Sequence, residues 1–404
     1  MSIVRVVVCR IGGIANNGDI ILGGGFYMSK EIRPCRPAWR GSMTPRERFN
    51  RQVRLLPVDR SFNMEFGYWD ENYKLWDLFK DNGITNDWEA DRFFSFDRLE
   101  IVGSNVWMDP PFEYKELERR GNIIVIQNRD GLTAEVLATG NISTIPHFTA
   151  SSVVTPEDWA VVKAHRFDVN SPRRIVDVDK IIEAHPPGRD YPLGVDCGSM
   201  IGRIRDMLTF EGICYAYADY PEMLEDMVET CCVLVEHFLD QVLGKVDFDF
   251  ATGWEDICYA QGPILPPSFF KEVVAPRYKR ISDRLKAHGI YLWWTDCDGD
   301  VRPLLPIFLE AGINCLFPFE VAHSGHPGEV LDKYEDLRIL GGVDKMKMIE
   351  GKGAIKAYLE SLVPYVKSGR LIPFCDHRCP PDVTPENYLY YLDLKEELFG
   401  VVRP

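Results

Sequence analysis

The densest chemistry in the chain lies in Tyr291-Leu-Trp-Trp-Thr-Asp-Cys-Asp-Gly-Asp300, where an apolar and aromatic run ends in Asp296, Cys297, Asp298 and Asp300 around Gly299. Three carboxylates and a thiol so close together cannot all be ionised in a dry interior. They must meet water, a metal ion or a substrate that carries positive charge. The same pattern recurs along the chain: apolar runs end in Trp254-Glu255-Asp256, in Glu320, in Asp344 and in Asp376-His377. Carboxylates and imidazoles are metal ligands, proton carriers and substrate-orienting groups. Trp254, Trp293 and Trp294 offer apolar or cation-π walls. Plainer roles compete with these: Asp298, Asp300 and Asp344 stand where helix caps stand. His147, His323 and His326 read as solvated loop histidines.

The elements that must position these residues follow from their spacing. Glu320 lies 24 residues after Asp296, and Asp344 another 24 after Glu320, each interval being one strand plus one helix. Helical patterns over 301–311, 327–335 and 353–368 fill the gaps. Repeated strand-acid-helix units predict an α/β fold, a (β/α)8 TIM-type barrel, in which strand ends converge on one face. The acids from Glu255 to His377 then surround a single hollow. Earlier in the chain, a helix over 44–55, a short strand over 62–67 and aromatic-rich helices to Gly83 precede two strands, 121–131 and 133–138. These read as a β-hairpin, so an N-terminal helical and hairpin insertion is expected beside the barrel. The longest helix covers 221–243. At Thr44-Pro45-Arg-Glu47 an N-cap, a first-turn proline and an acid coincide, which places the start of the barrel domain, 43–404, near Met43. Residues 1–42 are then a peripheral extension.

With 404 residues, 46% hydrophobic and 26% charged, the chain has the composition of an ordinary soluble protein. A net charge of −15 argues against nucleic acid and anionic membranes as partners. Eleven cysteines are scattered without a Cys-x-x-Cys pair, as expected of reduced thiols in a cytoplasmic enzyme. No apolar run reaches the ~18 residues needed to span a bilayer.

Taken together, Thr44-Pro-Arg-Glu-Arg-Phe49 with Asp59-Arg60, Trp254-Glu255-Asp256, Gly262-Pro263-Ile264, Asp298-Gly299-Asp300, Gly312-Ile313 with Pro318 and Glu320, Gly341-Gly342-Val343-Asp344, and Pro380-Pro381-Asp382 with Glu386-Asn387 carry a resemblance. Over residues 43–400 the chain resembles the uroporphyrinogen decarboxylase superfamily, in the branch grouped with cobalamin-dependent methyltransferases. The resemblance implies a (β/α)8 barrel with its pocket at the strand ends. It also implies a metal site: the positions of that branch's His-x-Cys pair and later Cys are taken here by Asp296, Asp298 and His377. Two carboxylates and an imidazole suit zinc, iron(II) or manganese, with zinc expected and Glu320 or Cys297 as a further ligand. The decarboxylases of the superfamily grip their substrate with an Arg-Gln-Ala-Gly-Arg-Tyr type motif, whereas this chain has Asn63-Met-Glu-Phe-Gly-Tyr-Trp69. A polycarboxylate tetrapyrrole would meet like charge.

The expected activity is therefore metal-assisted methyl transfer on a small methylated substrate, with a corrinoid carried by a partner protein. Catalytic roles fall to Glu255, Asp256, Glu320 and Asp344, and substrate contacts to Trp254, Trp294 and Asp376. The alternatives are a decarboxylase acting on a porphyrin or a smaller acid, and an inactive binding barrel. The family resemblance also allows a homodimer.

Overall fold

The structure, a computed structural model, describes residues 8–9, 31–138 and 146–400. Seven parallel strands form one curled sheet in the order Glu100–Val102, Leu193–Asp196, Phe250–Trp254, Trp293–Asp296, Cys315–Phe319, Arg338–Val343 and Leu371–Cys375. Each strand neighbours the next in the chain, and helices cross between them. The longest, Pro221–Val242, buries Met223, Met227, Leu234, Phe238 and Val242, the apolar stripe read from the sequence. The two-residue strand Val8–Cys9 pairs antiparallel with Glu100–Val102, and the rest of the strand expected over residues 2–9 lies outside the described residues.

Alternation along the strands sorts side chains into two layers. One set faces the concave interior: Ile101, Phe250, Leu292, Trp294, Cys315, Phe317, Leu340, Ile372 and Phe374. Trp294 is stacked between Phe250 and Phe317, with ring centroids 4.4 and 5.5 Å away. The opposite set, including Val195, Ala251, Trp293, Leu316, Ile339 and Leu371, packs under the helices.

The short strand expected over residues 62–67 is extended and buried but joins no continuous ladder; an isolated parallel bridge between Tyr68 and Cys379 follows it, so among the described residues the sheet is not closed by a full set of strand pairings. Packed side chains and scattered hydrogen bonds take the place of a continuous ladder at this seam. Phe62, Met64 and Phe66 point into the same interior cluster. Cys375 N donates to Glu65 Oε2 at 3.2 Å on one side, and Asp97 N donates to the Asn63 carbonyl at 2.8 Å on the other.

The expected hairpin is larger than the sequence suggested. Lys115–Arg120, Ile123–Gln127, Thr133–Leu137 and His147–Ala150 make a four-stranded antiparallel sheet inserted after Glu100–Val102. Its two outer strands are exposed throughout and lack the apolar alternation by which a strand is recognised. Ahead of Met43, Trp39 is buried in the main core and Arg36 pairs with Glu396 at 2.8 Å. Among the described residues no helix is long and apolar enough to cross a membrane.

Candidate functional site

All the acid-bearing turns follow the C-terminal ends of parallel strands, and three of their residues converge. Asp298, Glu320 and His377 each offer one donor atom, and these atoms lie within 4.8 Å of one another, a spacing at which a single cation could touch all three. His377 Nε2 is 3.4 Å from Asp298 Oδ2, and the other oxygen of Asp298 is buried without a hydrogen-bond partner. Each ligand is positioned by the fold. Asp298 sits on a turn that needs Gly299, whose φ is +81° and where a Cβ would come within 2.5 Å of the Cys258 carbonyl. Glu320 Oε2 accepts from Gly299 N at 3.1 Å, tying two strand ends together. The His377 ring is braced edge-on by Phe66 at 5.3 Å.

Asp296 lies beneath this trio rather than in it. Its carboxyl is driven well above the ordinary range by burial first, then by the charges of Asp298, Asp256 and Glu320. Asp256, in a left-handed conformation at φ +47°, is raised by burial and by Asp298, with Arg205 opposing. Arg205 Nη1 is 3.5 Å from Asp256 Oδ2, and Arg203 and Arg205 both lie over the ring of the half-buried Trp254.

Several expected site residues are engaged elsewhere. Glu255 is buried and accepts from Ser199 Oγ, the amides of Met200, Ile201 and Gly202, and Tyr278 Oη. It anchors the loop after Leu193–Asp196 instead of facing the hollow. Trp294 is an interior packing residue, 1% exposed. Asp344 caps the helix Lys345–Glu350 by accepting from Met346 N at 2.8 Å. Asp376 is fully buried and accepts from the amides of Val321 and Lys345, so it positions the two neighbouring turns. The Cys297 thiol, hydrogen-bonded to Cys258 and buried, is held well above its usual range, which keeps it a neutral thiol.

Two cations that sequence reasoning missed complete the site. Lys345 Nζ lies 3.5 Å from Glu320 Oε1 and 3.4 Å from Asp376 Oδ1. Burial opposes its charge, but Asp376 and Glu320 outweigh burial and hold the ammonium above its ordinary value. Arg205 does the same for Asp206 and Asp256. Both belong to helices that follow strand ends, where a basic residue carries no periodic signal. Of the loop histidines, His323 Nε2 is 3.9 Å from Glu320 Oε2, whereas His326 caps the helix Pro327–Leu331. His147, on an exposed outer strand, stands 3.6 Å from Glu135.

No family model and no curated protein matches this sequence. Among solved structures the chain is similar to a methyltransferase from Methanosarcina mazei, with 13% identity, a TM-score of 0.53, and coverage of 88% of this chain and 99% of that one. It also matches a chain described as a vitamin-B12-independent methionine synthase from Listeria monocytogenes, at 14% identity and a TM-score of 0.26, over 52% of this chain and 63% of that one. The first likeness extends over nearly the whole of both chains, and what it establishes is a shared barrel-like α/β fold.

Proposed function

We propose that the protein is a metal-assisted methyltransferase whose ion is held by Asp298, Glu320 and His377. The observation that carries this reading is the convergence of those three donors at the strand ends. The residues fit a divalent ion in three respects. Two carboxylates and an imidazole are a donor set for zinc or another divalent metal. Asp298 has a buried oxygen with no other partner. Donors on ~2.0–2.1 Å bonds at tetrahedral angles lie roughly 3.3–3.4 Å apart, and the His377–Asp298 separation is 3.4 Å. The fold shared with the Methanosarcina methyltransferase supports the reaction class, and the burial of Phe62, Met64 and Phe66 in the interior cluster supports a (β/α)8 barrel with residues 62–67 as its eighth stave.

When bound, such an ion supplies a Lewis acid that stabilises charge on the heteroatom giving or receiving the methyl group. The chain's own residues do the rest. Gly299 N fixes the direction of Glu320. Phe66 keeps the His377 ring from turning. Trp254 gives the methyl group an apolar wall. A corrinoid on a separate protein is the partner placed at the mouth, where Phe210 and Tyr259 form an exposed aromatic pair with centroids 5.2 Å apart.

The test is metal analysis of the purified protein together with the absorbance of added methylcobalamin. Wild type should carry about one zinc per chain and consume methylcobalamin with a thiol acceptor. His377→Ala should do neither. A correctly folded wild type that binds no divalent metal would overturn the reading. A second reading, decarboxylation of a small acid without metal, is favoured by Lys345 and Arg205, two cations able to hold a carboxylate at the same rim. That protein would be metal-free and would release carbon dioxide.

A further inference from the structure

We infer that His323 is the fourth protein ligand of the ion held by Asp298, Glu320 and His377 in the substrate-free enzyme. The inference rests on the metal reading above. Glu320 immediately precedes the short helix Val321–Ser324 and His323 is its third residue, and their side chains come together at that end of the helix. That helix is pinned against the Asp298 turn at several points. Glu320 Oε2 accepts from Gly299 N, Ser324 Oγ donates to the Gly299 carbonyl at 3.3 Å, and Val321 N donates to Asp376 at 3.0 Å. His323 is thereby held over the turn that carries Asp298 and Asp300.

Distances place its ring near the coordination sphere. His323 Nε2 is 3.9 Å from Glu320 Oε2, about half an ångström beyond the roughly 3.3–3.4 Å expected of two donors on one tetrahedral ion. His323 is outside the trio that already converges, so a change of side-chain rotamer is required to bring it in. The side chain is 37% exposed, which leaves room for that movement. His326, three residues on, has no such freedom: Nδ1 accepts from Gly328 N and Nε2 contacts Ser361 Oγ.

Three protein donors leave a tetrahedral ion one place short, and His323 is the nearest further imidazole. It is the more exposed of the two imidazoles, at 37% against 24% for His377, which Phe66 braces. It is therefore the ligand that gives way when a substrate heteroatom arrives, so the ion alternates between a closed and an open site.

Zinc K-edge X-ray absorption on the zinc-loaded full-length protein counts imidazole ligands directly. The expected result is two imidazoles in wild type and one in His323→Ala, with zinc affinity lowered about tenfold or more and the unfolding midpoint of the metal-free protein unchanged. A wild-type zinc site with one imidazole would overturn this inference and leave the metal reading standing. A wild-type protein that takes up no zinc would overturn both. Cobalt(II) in place of zinc gives an independent readout, since loss of a fourth protein ligand in His323→Ala should alter the visible d–d bands, and an identical spectrum would count against the inference.

Discussion

At the N-terminal ends of the parallel strands, Asp59, Asp97 and Asp249 each face arginine. At the C-terminal ends, Asp256, Asp296, Asp298 and Glu320 share Arg205 and Lys345. The lower acids are closed systems. Arg48 grips Asp59 through Nε and Nη2 at 2.7 and 2.9 Å, and Arg60 grips Asp97 at 2.6 and 2.8 Å. Asp249 accepts from Arg46, Asn50, Arg189 and the Leu193 amide. Such two-point guanidinium pairs satisfy both oxygens and leave nothing for a ligand. The upper acids crowd one another instead, and burial with mutual repulsion raises Asp256 and Asp296. Charge type alone thus does not mark the site; what marks it is that the carboxylates outnumber the two cations they share.

That contrast can be broken by experiment. Asp249→Ala strands the buried Arg189 and leaves Arg46 with Asp247 alone, and should cost about 3–5 kcal/mol in urea denaturation, while the metal content of the folded fraction stays unchanged. Lost metal at undiminished stability would dissolve the distinction between the two ends. Asp59→Asn should have a smaller, pH-dependent effect. Burial pushes the Asp59 carboxyl up, but the hydrogen bonds from Arg48 and Met43 outweigh it and hold it at about 2, against 3.8 unperturbed. Its contribution of about 2 kcal/mol is therefore complete above pH 4 and fades as pH falls towards 2, so wild type and variant should converge over that window. A gap that persists at pH 2 would show that the pairing is not electrostatic. The smallest effect belongs to the upper end, where Lys345→Met removes an ammonium that competes with a cation for Glu320. Zinc affinity should rise a few-fold, measured by competition with a chelating dye. Weaker binding would make Lys345 a support for the site rather than a competitor.

Much of this was legible in the sequence because a strand end is a change of alphabet, from Leu-Phe-Pro-Phe to Glu320 or from Pro-Phe-Cys to Asp376-His377. The order of strands, the long helix and the convergence of Asp298 with His377 follow from that. Which of two adjacent residues faces the hollow does not follow. Glu255 and Asp256 are neighbours, yet one is buried under five hydrogen-bond donors and the other lines the rim. Trp293 and Trp294 divide in the same way between helix layer and barrel interior. The choice depends on register, which a turn shifts by one residue without altering the pattern. The segment over residues 62–67 was visible as a strand, but that the Glu65 side chain and the Asn63 carbonyl bridge the seam in place of a full ladder is a tertiary event.

The clamp formed by Glu255 bears on how a guest would be received. Because one carboxylate fastens the amides of residues 200–202 and the Tyr278 hydroxyl to the end of a central strand, this stretch of the rim is already frozen before anything arrives. An incoming molecule need not supply the free energy to order that backbone, so selectivity there is set by the fit of side chains to a fixed frame, and small guests can be held without a closing lid.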